Sequence, residues 1–173
     1  KLLGTGLYEL TNGTLSTAGS FAVPVFKQSG GTLAGTFTLA SGNTFNWTGG
    51  NWNSTSTTAT IASGAVLNLS TTNSHNFDGR AIVNNGTINW SGGAFVAGNS
   101  ATLTNNATIN DTSTGTFGNS GVGGTTMTFT NAAGGTYNAS VTKSIPVAFT
   151  NSGTLAVSAG TLSLTGGGSS SAT

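Results

Sequence analysis

The chain has 173 residues, 35% of them apolar and only 4% charged, and four Lys or Arg against three Asp or Glu leave a net charge of +1. That balance provides no field for phosphate or anionic lipid, so neither nucleic-acid binding nor membrane-surface binding has an electrostatic basis. Cysteine is absent, which excludes a disulfide framework and a thiolate site, and no run approaches the roughly 18 consecutive apolar residues of a membrane span.

In chain order, Lys1-Leu2-Leu3 is too short an apolar stretch for a signal peptide. Tyr8-Glu9-Leu10 then alternates apolar and polar, and the turn Asn12-Gly13 leads into Thr14-Leu15. The same step, a small polar turn, then Thr (once Val), then an apolar residue, recurs at Thr32, Thr44, Val66, Thr87, Thr108, Thr136 and Thr154. The residue that follows is Leu33, Phe45, Leu67, Ile88, Ile109, Tyr137 or Leu155, apolar every time. Three longer stretches are nearly alike: T-F-N-W-T-G-G-N-W from Thr44, T-I-N-W-S-G-G-A-F from Thr87 and T-L-A-V-S-A-G-T-L from Thr154. Spacings cluster near 20 residues, with one excursion of 28 between Thr108 and Thr136 that predicts a loop or bulge around Gly115 to Gly124.

Upstream of these turns a second alternating segment recurs as Phe37-Thr38-Leu39, Ala59-Thr60-Ile61, Ala101-Thr102-Leu103, Met127-Thr128-Phe129 and Val147-Ala148-Phe149. Period-two alternation of β-branched and aromatic residues, punctuated by Gly, Asn and Ser, predicts strands and no helix. Repetition at this grain predicts stacking of one small unit. The fold expected is all-β: a right-handed parallel β-helix (β-solenoid) of about 7–8 coils of roughly 20 residues, spaced ~4.8 Å apart. Residues 1–167 form one such domain. Residues 168–173 read as a Gly/Ser-rich tail or a cut through a longer array. Asn84, Asn105 and Asn151 share one offset and are placed to stack along the axis. Pro24 and Pro146 belong at strand starts or corners. An antiparallel sandwich is the competing architecture, and its unequal strand environments do not call for such repetition.

Chemistry is sparse. Glu9, Asp78 and Asp111 fall on different coils and cannot pair as acid and base. His75, Asp78 and Arg80 form the one local cluster, and the sequence reads it as a polar surface loop. One His and three acids make no metal site. No catalytic residue, cofactor or metal is expected, and the chain reads as a non-enzyme. Trp47 and Trp90 share parity with the core column and belong inside. Trp52 and Phe95 share an offset that allows either face; outward, they would make an aromatic platform for a sugar. Thr38, Thr60, Thr102 and Thr128 lie on outward strand positions, where a regular Thr-x-Thr face could meet ice or carbohydrate; Ile82 and Ala148 interrupt it. Asn-x-Ser/Thr sequons at Asn12, Asn46, Asn85, Asn89, Asn106 and Asn138 follow from composition.

The units from Ile82 to Gly93 and from Phe149 to Gly167 resemble the repeats of large secreted bacterial surface proteins: autotransporter passengers, their β-strand repeat relatives and filamentous-haemagglutinin-type adhesins. The resemblance implies a right-handed β-helix, export to the bacterial cell surface, and a role as stalk, adhesin or extracellular filament. Its partners would be further coils stacked end to end, or a host glycan or surface ligand. No family ligand residue carries over.

Overall fold

A computed structural model describes Leu2 and residues 4–171; of the expected tail, Ala172 and Thr173 lie outside the described residues. Among the described residues, twenty-one short strands wind as eight coils. The first is β1 (Tyr8–Leu10) and β2 (Thr14–Phe21), and the second β3 (Val25–Gln28) and β4 (Thr32–Leu39). The third is β5 (Thr44–Trp47) and β6 (Thr57–Ile61). From the fourth a further strand appears on a side face: β7 (Val66–Leu69), β8 (His75–Asn76) and β9 (Arg80–Asn84). The fifth coil is β10 (Thr87–Trp90), β11 (Phe95–Ala97) and β12 (Thr102–Asn105). The sixth is β13 (Thr108–Asp111), β14 (Phe117–Asn119) and β15 (Thr128–Asn131), and the seventh β16 (Thr136–Ala139), β17 (Lys143–Ile145) and β18 (Ala148–Asn151). The eighth is β19 (Thr154–Val157), β20 (Leu162–Leu164) and β21 (Gly168–Ser170).

Each coil adds one parallel strand to the front face and one to the back. The front sheet runs β1-β3-β5-β7-β10-β13-β16-β19 and the back sheet β2-β4-β6-β9-β12-β15-β18-β21. The side face holds β8-β11-β14 and β17-β20. The repeat averages roughly 21 residues, and the architecture is the expected β-solenoid. Gly168–Ser170 pairs with β18, so this part of the expected tail is a rung of the solenoid.

Alternation along each strand decides what is inside. The front column Phe26, Phe45, Leu67, Ile88, Ile109 and Tyr137 is buried throughout and stacks rung on rung. Thr14 and Thr32 do not belong to this column. They pair with each other at the start of β2 and β4, where those long strands turn the corner, and Tyr8 and Phe26 take the front positions instead. Pro24 sits just before β3, and Pro146 between β17 and β18, so both occupy corners, though different ones. The 28-residue excursion places β14 on the side face and leaves residues 121–126 exposed.

Two asparagine ladders run along the rod. Inside, the Asn84 amide donates to Asn105 (2.7 Å), Asn105 to Asn131 (2.8 Å) and Asn131 to Asn151 (2.8 Å). Outside on the front sheet, Asn138 donates to Asn110, Asn110 to Asn89, Asn89 to Asn68 and Asn68 to Asn46, each at 2.9–3.0 Å. The two chains of amides point in opposite directions along the axis. Each buried amide is satisfied by its neighbours above and below, which is how a polar column is tolerated in a core.

Candidate functional site

The residues singled out from the sequence divide cleanly into core and surface. Trp47 and Trp90 are buried as expected. Trp52 and Phe95 are buried too, so the aromatic platform does not exist on the surface. The physical reason is the corner between front and side faces: Thr48-Gly49-Gly50 resets the alternation, so offset parity from the front strand does not carry across it. Trp52 stacks on Trp47 with ring centroids 4.2 Å apart and planes 4° from parallel. Its indole N–H donates to the buried Gln28 Oε1 at 2.8 Å. Nor do Trp52 and Phe95 share a column. Phe95 lies level with His75, whereas the Asn51–Asn76 bridge sets Trp52 two residues further along, level with Phe77.

The threonines face outward from the back sheet but in two columns. Thr38 and Thr60 stand with Ser20, Val83, Thr104, Thr130, Thr150 and Ser169. Thr102 and Thr128 stand with Thr58, Ala81 and Ala148. The array is broken at Ala81 and Val83 of the fourth coil and, as expected, at Ala148, but not at Ile82, which points into the core.

His75, Asp78 and Arg80 do not form a surface loop; all three are buried. They also point apart. Arg80 reaches back toward the N-terminal coils, donating to the carbonyls of Trp52 (2.6 Å), Gly35 (2.7 Å) and Leu33 (2.9 Å), with its guanidinium 5.2 Å from the Phe37 ring centre. Burial without a carboxylate partner brings its pKa down to about 10. Asp78 faces the other way, accepting from the Gly98 N–H (2.6 Å) and the Ser120 hydroxyl (2.5 Å). His75 lies between, packed edge-on against Trp47, with neither ring nitrogen in a hydrogen bond. Burial holds its pKa at about 4 although the Gly92 and Ser70 carbonyls favour the charged form.

A fourth polar group was not legible from spacing. Asp111, Tyr137 and Lys143 meet inside the sixth and seventh coils. The Tyr137 hydroxyl donates to Asp111 Oδ2 at 2.6 Å, and Lys143 Nζ stands 3.5 Å from Oδ1. Nζ also donates to the carbonyls of Ser113 (2.7 Å) and Gly115 (2.6 Å) and lies 3.6 Å from the Trp90 ring centre. Asp111 occupies the position of Trp90 one coil on, so periodicity alone assigns it to the core; Lys143 reaches it from the side face, across the long coil. Glu9, Asp78 and Asp111 fall in the first, fourth and sixth coils and stay apart. No protein-family model, curated protein or solved structure matches the chain.

Proposed function

We propose that the chain is a structural and adhesive module of a secreted bacterial surface protein or extracellular filament: a rigid rod, without a catalytic role, that extends by adding coils. The observation that carries this reading is the state of the two end coils. Interior inward positions are essentially solvent-free, whereas Val157 and Leu164 of the last coil are each 45% exposed and Leu155 and Leu162 only partly covered. At the other end Tyr8, Leu10 and Leu15 are likewise only partly covered. β1 and β19 are the outermost strands of the front sheet, and the outer edge of a strand such as β19 is a template for further pairing. A further coil laid on β19 would cover Leu155 and Val157 as β19 itself covers Tyr137 and Ala139. Little charge opposes this, because Glu9 is already paired with Lys27 at 2.9 Å.

Negative-stain electron microscopy tests the reading. Rods that lengthen with protein concentration are expected, and the double variant Val157→Lys and Leu162→Lys should hold them at one unit. Isolated single rods at every concentration would contradict self-stacking. A second reading, recognition of carbohydrate or ice, is favoured by the outward threonines at Thr36, Thr38, Thr58 and Thr60 and again at Thr102, Thr104, Thr128 and Thr130. The gap at Ala81 and Val83 splits them into two patches, a size suited to a short hydroxylated ligand rather than to a lattice. A glycan array tests it, with Thr38→Val and Thr60→Val expected to lower any binding.

A further inference from the structure

Lys143 and Asp111 form a pair of opposite charge sealed from water, and their surroundings do more than hold an ion pair. Both side chains are almost fully buried, with Trp90 and Tyr137 closing over them. Two of the three positions around Nζ are taken by the carbonyls of Ser113 and Gly115. The third faces Asp111, whose far oxygen is held by the Tyr137 hydroxyl. We propose that Lys143 and Asp111 condense within the folded chain to a side-chain amide, with Tyr137 assisting.

The ion pair and a neutral amine facing a carboxylic acid hold the same protons, one transfer apart. Burial favours the neutral form of each, raising the Asp111 carboxyl and lowering the Lys143 amine, so the reactive pair lies closer than in water. As a free amine, Lys143 keeps two N–H groups for the Ser113 and Gly115 carbonyls and turns its lone pair toward Asp111 Cγ. Nζ attacks Cγ, and the charge that develops on Oδ2 is stabilised by the Tyr137 hydroxyl, as a fixed donor stabilises an oxyanion. Oδ1 leaves as water with the proton of the acid and one from the amine. One N–C bond forms and one C–O bond breaks, with no change of oxidation state. The product amide keeps an N–H for one of the two carbonyls and an oxygen for Tyr137, while the other carbonyl and the Ser113 N–H, which donates to Asp111 Oδ1 at 3.0 Å, give up these partners.

The bond would tie β13 to β17 and close the longest coil, where the repeat is least regular and its outer loop exposed. Positioning supplies most of what such a reaction needs, since the two groups cannot diffuse apart.

The intact mass of the purified, folded protein tests this. It should be lower than the sequence mass by one water, and proteolytic digestion should yield a branched peptide joining residues 111 and 143. Lys143→Met and Asp111→Ala should each restore the full mass. Tyr137→Phe should slow the loss of water on the order of a hundredfold. Folded wild-type protein, with the circular dichroism of strands, that keeps its full mass after prolonged incubation overturns the proposal, whether or not the variants fold.

Discussion

At the level of single residues, three of the six sequons have an architectural cause as well as a compositional one. Asn46, Asn89 and Asn138 are rungs of the outer ladder, and the Thr48, Ser91 and Ser140 hydroxyls two residues on donate to carbonyls one coil back. Asn for the ladder and Ser or Thr for the corner together spell Asn-x-Ser/Thr. The inner ladder matters more, because its amides have no water to fall back on. Asn105 donates to Asn131 and to the carbonyls of Ala107 and Thr136, and accepts from Asn84. Asn105→Ala should therefore cost about 2–4 kcal/mol, and Asn89→Ala, half exposed, about 1 kcal/mol or less; urea unfolding measures both. His75 gives a pH dependence of definite sign. Its folded pKa of about 4 lies below the ordinary 6.5, so the unfolded chain binds the proton more readily. Stability should be full above pH 6.5 and fall as pH drops from there to about 4. The total loss is on the order of 3 kcal/mol, and His75→Phe should flatten the profile.

At the level of elements, the corners carry the strictest geometry. Gly93 has a φ of +70°, and an added Cβ would run into the carbonyl oxygen of Asn73 in the coil before it. Gly93→Ala should therefore destabilise by more than the ~1 kcal/mol of an ordinary glycine replacement, read as a drop in thermal midpoint. Strands, by contrast, were legible because alternation has a period of two. Sequence likeness matches Ala59 to Ala101, but Ala59 pairs with Ile82 and, through it, stands level with Leu103, two residues further on. A slip of two leaves every side chain on its correct face, so buried and exposed positions in most front and back strands are those expected; Ile82, which points into the core, is an exception. Corners break that protection. Trp52 and Phe95 lie beyond one, as do His75 and Arg80, and there the turn, not the count, decides which way a side chain points. The Lys143–Asp111 contact spans the one irregular coil and leaves no periodic trace.

At the level of the whole molecule, stability is spread along the axis. Each coil touches mainly its neighbours, as in other repeat architectures, so cohesion is a sum of similar interfaces and the ends are the weakest part. That is consistent with a rod that gains by further stacking. It also makes one claim carry the rest: equivalent positions on successive coils lie side by side. The protein has no cysteine of its own, so engineered pairs report this without interference. Asn68→Cys with Asn89→Cys places two outward thiols on hydrogen-bonded partners in adjacent strands, within the Cα separation a disulfide spans. Mild oxidation of the double variant should link them rapidly, while Asn46→Cys with Asn110→Cys, three rungs apart, should stay reduced. Ready linkage of the distant pair, or none of the adjacent one, would contradict the solenoid.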